Sequence, residues 1–93
     1  HFVVINEYYD GSNDTGTDGD VVDALNDWLV ADLAATTKPA IFIFGHEPAF
    51  PFNRHVGDSL DEHQVNRDRF WDLLEGDLVI GYLCGHMHYY TKY

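Results

Sequence analysis

Ala40-Ile41-Phe42-Ile43-Phe44-Gly45-His46-Glu47-Pro48 sets an unbroken apolar run directly before a glycine and a histidine. A short continuous apolar run bounded by turn residues reads as a buried strand. The Gly-His then delivers an imidazole at that strand's C-terminal end. The same grammar returns downstream. Leu78-Val79-Ile80 through Leu83-Cys84 leads into Gly85-His86-Met87-His88-Tyr89-Tyr90. Open α/β sheets bind ligands outside the C-terminal ends of their strands, and imidazole is a common ligand for zinc, iron and other late transition metals. Two strand-end histidine motifs are therefore a metal-site signature.

Working outward, Phe2 to Tyr9 reads as another strand, rich in β-branched and aromatic residues. Asp10 to Asp20 is an Asp/Gly/Ser/Thr/Asn loop. A helix is expected over 20–35, with Val21, Val22, Leu25, Trp28, Leu29 and Leu33 recurring at helical spacing. Asp18 or Asp20 is positioned to cap it, and Lys38-Pro39 stops it. The stretch from Glu47 to about Gln64, with Pro48, Pro51 and Gly57, is irregular, as functional or mobile loops are. Ser59-x-x-Glu62 reads as a capping box for a helix over 65–75. Val65, Phe70, Leu73 and Leu74 form its inner face, Trp71 flanks it, and Gly76 stands at C′. The third strand spans 78–84, and Tyr89 to Tyr93 looks like the start of a fourth. The order β-α-β-α-β is an α/β pattern and predicts a mainly parallel sheet with covering helices.

At 93 residues the chain has the size of one small domain. It opens at His1-Phe2-Val3-Val4-Ile5, already inside a strand, so residues 1–93 are expected to be a single partial domain cut from something longer. No signal peptide and no membrane-length apolar run is visible. Sixteen acidic residues against five basic ones give a formal charge of −11. That balance disfavours nucleic acid and anionic membranes, which need Lys/Arg to neutralise phosphate. It also opposes phosphate-ester chemistry unless bound cations reverse the local sign. The single cysteine rules out an internal disulfide and leaves the compartment open.

His86 and His88 are two residues apart and share a face if the segment is extended. His46 meets them if the two strands are neighbours. A lone histidine is more often a structural or surface residue than a ligand. Three at strand ends, two of them in a Gly-His-x-His frame, favour the metal reading.

With these residues in view, the chain resembles the calcineurin-like metallophosphoesterases, whose last two motifs are similar to Gly45-His46 and Gly85-His86-Met87-His88. Leu25-Asn26-Asp27-Trp28-Leu29 resembles the helix before the family's first Gly-His. Arg69-Phe70-Trp71-Asp72-Leu73-Leu74 resembles the helix before Gly-His-x-His. His46-Glu47-Pro48, then His55, then Gly-His-x-His followed by Tyr90, is most similar to the purple acid phosphatase branch. The resemblance implies the C-terminal half of that family's sandwich. It implies His46 and His86 on one metal and His88 on the other of a dinuclear pair of divalent or trivalent ions (Mn, Zn or Fe). Two such ions about 3.5–4 Å apart clamp phosphoryl oxygens and generate a hydroxide for in-line attack. It further implies a phosphate-ester substrate and a catalytic His55 that contacts substrate or protonates the leaving group. A plain surface histidine is the competing reading of His55.

The family's other ligands come from an Asp-x-His, a Gly-Asp-x-x-Asp and a Gly-Asn-His-Asp/Glu earlier in the chain. The first and last do not occur here. Gly-Asp-x-x-Asp occurs at Gly19–Asp23 and Gly57–Asp61, but after loops rather than a strand, so these carboxylates read as caps or solvated groups. The Asp10–Asp20 loop fails the EF-hand pattern. Cys84 reads as a small core residue, and Tyr82, Tyr89 and Tyr90 as packing or rim residues. Glu47 is either exposed or a group that orients a ligand from behind. The expected function is thus the C-terminal part of a dinuclear phosphoesterase, inactive when isolated from the N-terminal half of its domain and prone to self-association. The alternative is a non-catalytic, degenerate module for metal binding or protein association. A structural zinc module lacks the closed Cys/His set such sites use.

Overall fold

The computed structural model describes residues 1–10 and 19–88. Strands and helices alternate: β1 (Phe2–Val4), α1 (Asp23–Ala35), β2 (Phe42–Phe44), a 3-10 turn at Leu60–His63 leading into α2 (Gln64–Gly76), then β3 (Gly81–Leu83). The sheet order is β1-β2-β3 with both pairings parallel. The chain is a small α/β unit with a three-stranded parallel sheet and two helices. The expected start of a fourth strand at 89–93 and most of the Asp10–Asp20 loop lie outside the described residues. No helix among the described residues is long and apolar enough to cross a membrane.

Strand alternation divides the sheet into two faces. Val3, Ile5, Ile41 and Ile43 are buried and join Val21, Leu25, Leu29 and Leu33 of the α1 region and Phe70 and Leu74 of α2 in one core. Right-handed crossovers that step in one direction put both helices on the same face. The opposite face carries the rows Phe2–Phe42–Gly81 and Val4–Phe44–Leu83. There Phe2 is 74% and Val4 76% exposed, so no layer of the described residues covers it.

Several local expectations change. β1 stops at Val4 because Asn6 Oδ1 accepts the Tyr8 N–H at 3.1 Å and turns the chain. Asp20 does not cap α1. Its carboxylate takes the Asn66 amide of α2 at 3.0 Å instead, and Val22 is the cap position. Ser59 and Glu62 make no capping box, since the Ser59 hydroxyl donates to the His55 carbonyl at 2.7 Å. Val65 is 84% exposed and Trp28 51%, so neither belongs to its helix's inner stripe. Gly76 closes α2, while Leu78, at φ 56°, holds the left-handed position beyond it. Cys84 is exposed, because β3 has already ended at Leu83.

Candidate metal centre

β2 and β3 are neighbours, which is the condition for their strand-end histidines to meet. The ladder continues past the strands: Gly45 N–H donates to Leu83 O, and Gly85 N–H to His46 O, each at 3.0 Å. The His46 and His86 rings consequently lie 5.1 Å apart between centroids, at 68° to one another. The His86 ring also packs against His55, with centroids 3.8 Å apart and 32° between the ring planes.

The turn that carries His46 is held from behind by Glu7. This carboxylate is 1% exposed and accepts the backbone N–H groups of His46 at 2.9 Å and Glu47 at 3.1 Å. The Tyr82 hydroxyl stands 2.6 Å from both Glu7 Oε1 and the Glu47 carbonyl, two acceptors for one proton. Gly45 fits only as glycine, because a Cβ there would overlap the Glu7 carboxylate and the Tyr82 hydroxyl. Burial and the neighbouring Glu7 charge push the Tyr82 phenol well above the ordinary tyrosine range.

Glu47 is buried, which rules out the exposed reading of it. Its Oε1 accepts the Tyr8 hydroxyl at 2.9 Å, while Oε2 is buried without a partner. Desolvation raises its pKa, and the Tyr8 hydrogen bond and the His86 and His46 imidazoles act against that rise. Gly19 packs onto this carboxylate so closely that any Cβ would collide with it.

The Gly85–His88 segment is not extended, so the shared-face argument for His86 and His88 does not apply. Met87 N–H closes a tight turn onto Gly85 O at 2.7 Å, and His86 and His88 take left-handed φ values of 67° and 61°. Buried Met87, whose sulfur accepts the Phe52 N–H at 3.2 Å, anchors the turn between them. His86 Nε2 is buried and unpartnered. His46 and His88 are exposed, and among the described residues His88 makes no side-chain hydrogen bond or ring contact.

The donors that do converge are His55, Asp58 and His86, each offering one ligand atom within 4.8 Å of the others. This His/Asp cluster could hold a metal ion. His46 and His88 stand outside it, and Asp58 reads from the sequence as a cap or solvated group because its Gly-Asp-x-x-Asp frame follows a loop. Glu7 carried one signal, a carboxylate within the strand-like run Phe2 to Tyr9. Comparison with protein-family models, curated proteins and solved structures gives no match for this chain.

Proposed function

We propose that this chain is the C-terminal part of a calcineurin-like metallophosphoesterase domain, nearest the purple acid phosphatase branch, that serves hydrolysis of phosphate mono- or diesters. The observation that carries the reading is the His46–His86 pair at the ends of neighbouring parallel strands, 5.1 Å apart, with His86 Nε2 buried and unpartnered. A metal about 2.1 Å from each ligating nitrogen puts two imidazole centroids roughly 5 Å apart, the spacing of this pair.

In this reading His46 and His86 hold one metal and His88 contributes to a second. The ions (Mn, Zn or Fe) supply Lewis acidity and an activated water when bound. Glu7 fixes the His46 turn through two backbone hydrogen bonds. His55, with a side chain 28% exposed, contacts substrate or protonates the leaving group. The buried carboxylates nearest these histidines already accept hydrogen bonds from protein donors, Glu7 from His46 and Glu47 and the latter's own carboxylate from Tyr8. Of their oxygens, Glu47 Oε2 is the one buried without a partner among the described residues and still open to a metal.

The deciding test is the gene upstream of His1. It is expected to encode Asp-x-His, Gly-Asp-x-x-Asp and Gly-Asn-His in that order, and an upstream reading frame with none of the three overturns the proposal. The isolated chain is expected to turn over no p-nitrophenyl phosphate in manganese, zinc or iron buffers. Turnover in the range of about 1–1000 per second, abolished by His86→Ala, would show the chain to be complete.

A further inference from the structure

We infer that His55, Asp58 and His86 form a mononuclear site for a divalent transition metal, built by the loop after β2 and the turn after β3. The inference does not rest on the phosphoesterase reading and competes with it, since both place a metal at His86 and that reading gives His55 a proton-transfer role instead of a ligand role.

Three observations converge. First, the ligand atoms of the three side chains already lie within 4.8 Å of one another. Second, His55 Nδ1 and Asp58 Oδ2 are 3.2 Å apart. That is the long end of the ordinary range for an N–H···O hydrogen bond, about 2.7–3.2 Å. Nitrogen and oxygen ligands on one ion at about 2.0–2.2 Å stand roughly 3–3.4 Å apart, which matches. Third, His86 Nε2 is a buried nitrogen with no partner among the described residues. Such an atom needs an explanation, and a bound ion is one.

The loop is shaped before any ion arrives. Asp61 accepts the Gly57 N–H at 2.7 Å and the Ser59 N–H at 3.2 Å, and buried Ser59 ties its hydroxyl to the His55 carbonyl at 2.7 Å. Asp58 is left pointing outward, its side chain 65% exposed, so an ion can enter from solvent. His55 and His86 both sit at left-handed φ, 55° and 67°, the kind of held strain that gathers at ligand clamps. Binding has one geometric cost. The two rings, 3.8 Å apart, must open toward the roughly 5 Å that two imidazoles on one ion require. Two imidazoles and a carboxylate with an open position suit zinc, cobalt or iron rather than calcium or magnesium.

The test is calorimetric titration of the whole chain with zinc alone near pH 7.5, with cobalt(II) absorption as a second readout and circular dichroism to check the fold. One zinc per chain is expected. Asp58→Asn, an exposed and near-isosteric change, and His55→Ala are each expected to weaken binding at least about tenfold, the scale on which even outer-shell partners of metal ligands act. Both should also alter the cobalt spectrum, while His63→Ala does neither. Two results overturn the inference: a wild-type chain that binds no zinc, or affinity lost in His46→Ala and His88→Ala but unchanged in His55→Ala and Asp58→Asn. The second result leaves the phosphoesterase reading standing, so the two failures are distinguishable.

Discussion

Glu7 is the residue on which the geometry of the first Gly-His depends. It accepts two backbone N–H groups from the His46 turn and stands within hydrogen-bond reach of the Tyr82 hydroxyl, all in a setting closed to water. Glutamine at this position keeps one acceptor oxygen and turns a donor toward other donors. Glu7→Gln is therefore expected to cost about 2 kcal/mol in denaturant unfolding, the scale of a lost hydrogen bond to a charged group. The Tyr82 phenol gives a pH signature. Its folded pKa is raised above the unfolded value near 10, so its contribution to stability is fully present below that value and falls as pH rises beyond it. Alkaline unfolding should steepen above about pH 10, and Tyr82→Phe should flatten that slope. An unchanged slope in the variant would contradict the assignment. The histidines were legible in the sequence because Gly-His after an apolar run is a local pattern. The partners of Glu7 were not, because a glutamate at the sixth position of a strand-like stretch reveals its partners only when the strands are side by side.

At the scale of elements, the apolar spacing in the sequence located both helices and all three described strands, and it failed at their ends. At two helix starts the polar side chains expected to cap were taken by other partners. Asp20 went to Asn66 of the other helix, and Ser59 went to His55 in the loop before it. At the end of α2 the left-handed position fell on Leu78 rather than Gly76. There Val79 N–H bonds back to Leu74 O at 2.9 Å, and the Leu78 side chain is 82% exposed. A branched residue at positive φ costs roughly 1–2 kcal/mol that glycine does not incur, and so exposed a side chain recovers little by burial. Leu78→Gly is expected to raise thermal stability by about 1 kcal/mol. A lower melting temperature would show that Leu78 has a packing role.

The whole molecule has a sheet with one face covered and one bare. All-parallel sheets are found with both faces covered, yet both crossovers here lie on the same side. The other side presents Phe2, Val4 and Leu83, all exposed, beside half-buried Phe42 and Phe44. The sequence could not show this, since strand runs read as apolar throughout whichever face is covered. β1 also leaves one strand edge unpaired among the described residues, and open edges and bare apolar faces recruit partners. A chain of charge −11 repels copies of itself over most of its surface, but β1, β2 and β3 contain no charged residue. Two copies meeting face to face would bury this sheet without bringing carboxylates together. The isolated chain is therefore expected to show an average mass that climbs with concentration in sedimentation velocity. Val4→Lys introduces a charge at a side chain 76% exposed and outside the core. It should shift the chain toward monomer while leaving its melting temperature within a few degrees. A wild-type chain that sediments as a monomer at every concentration tested would count against association through this face.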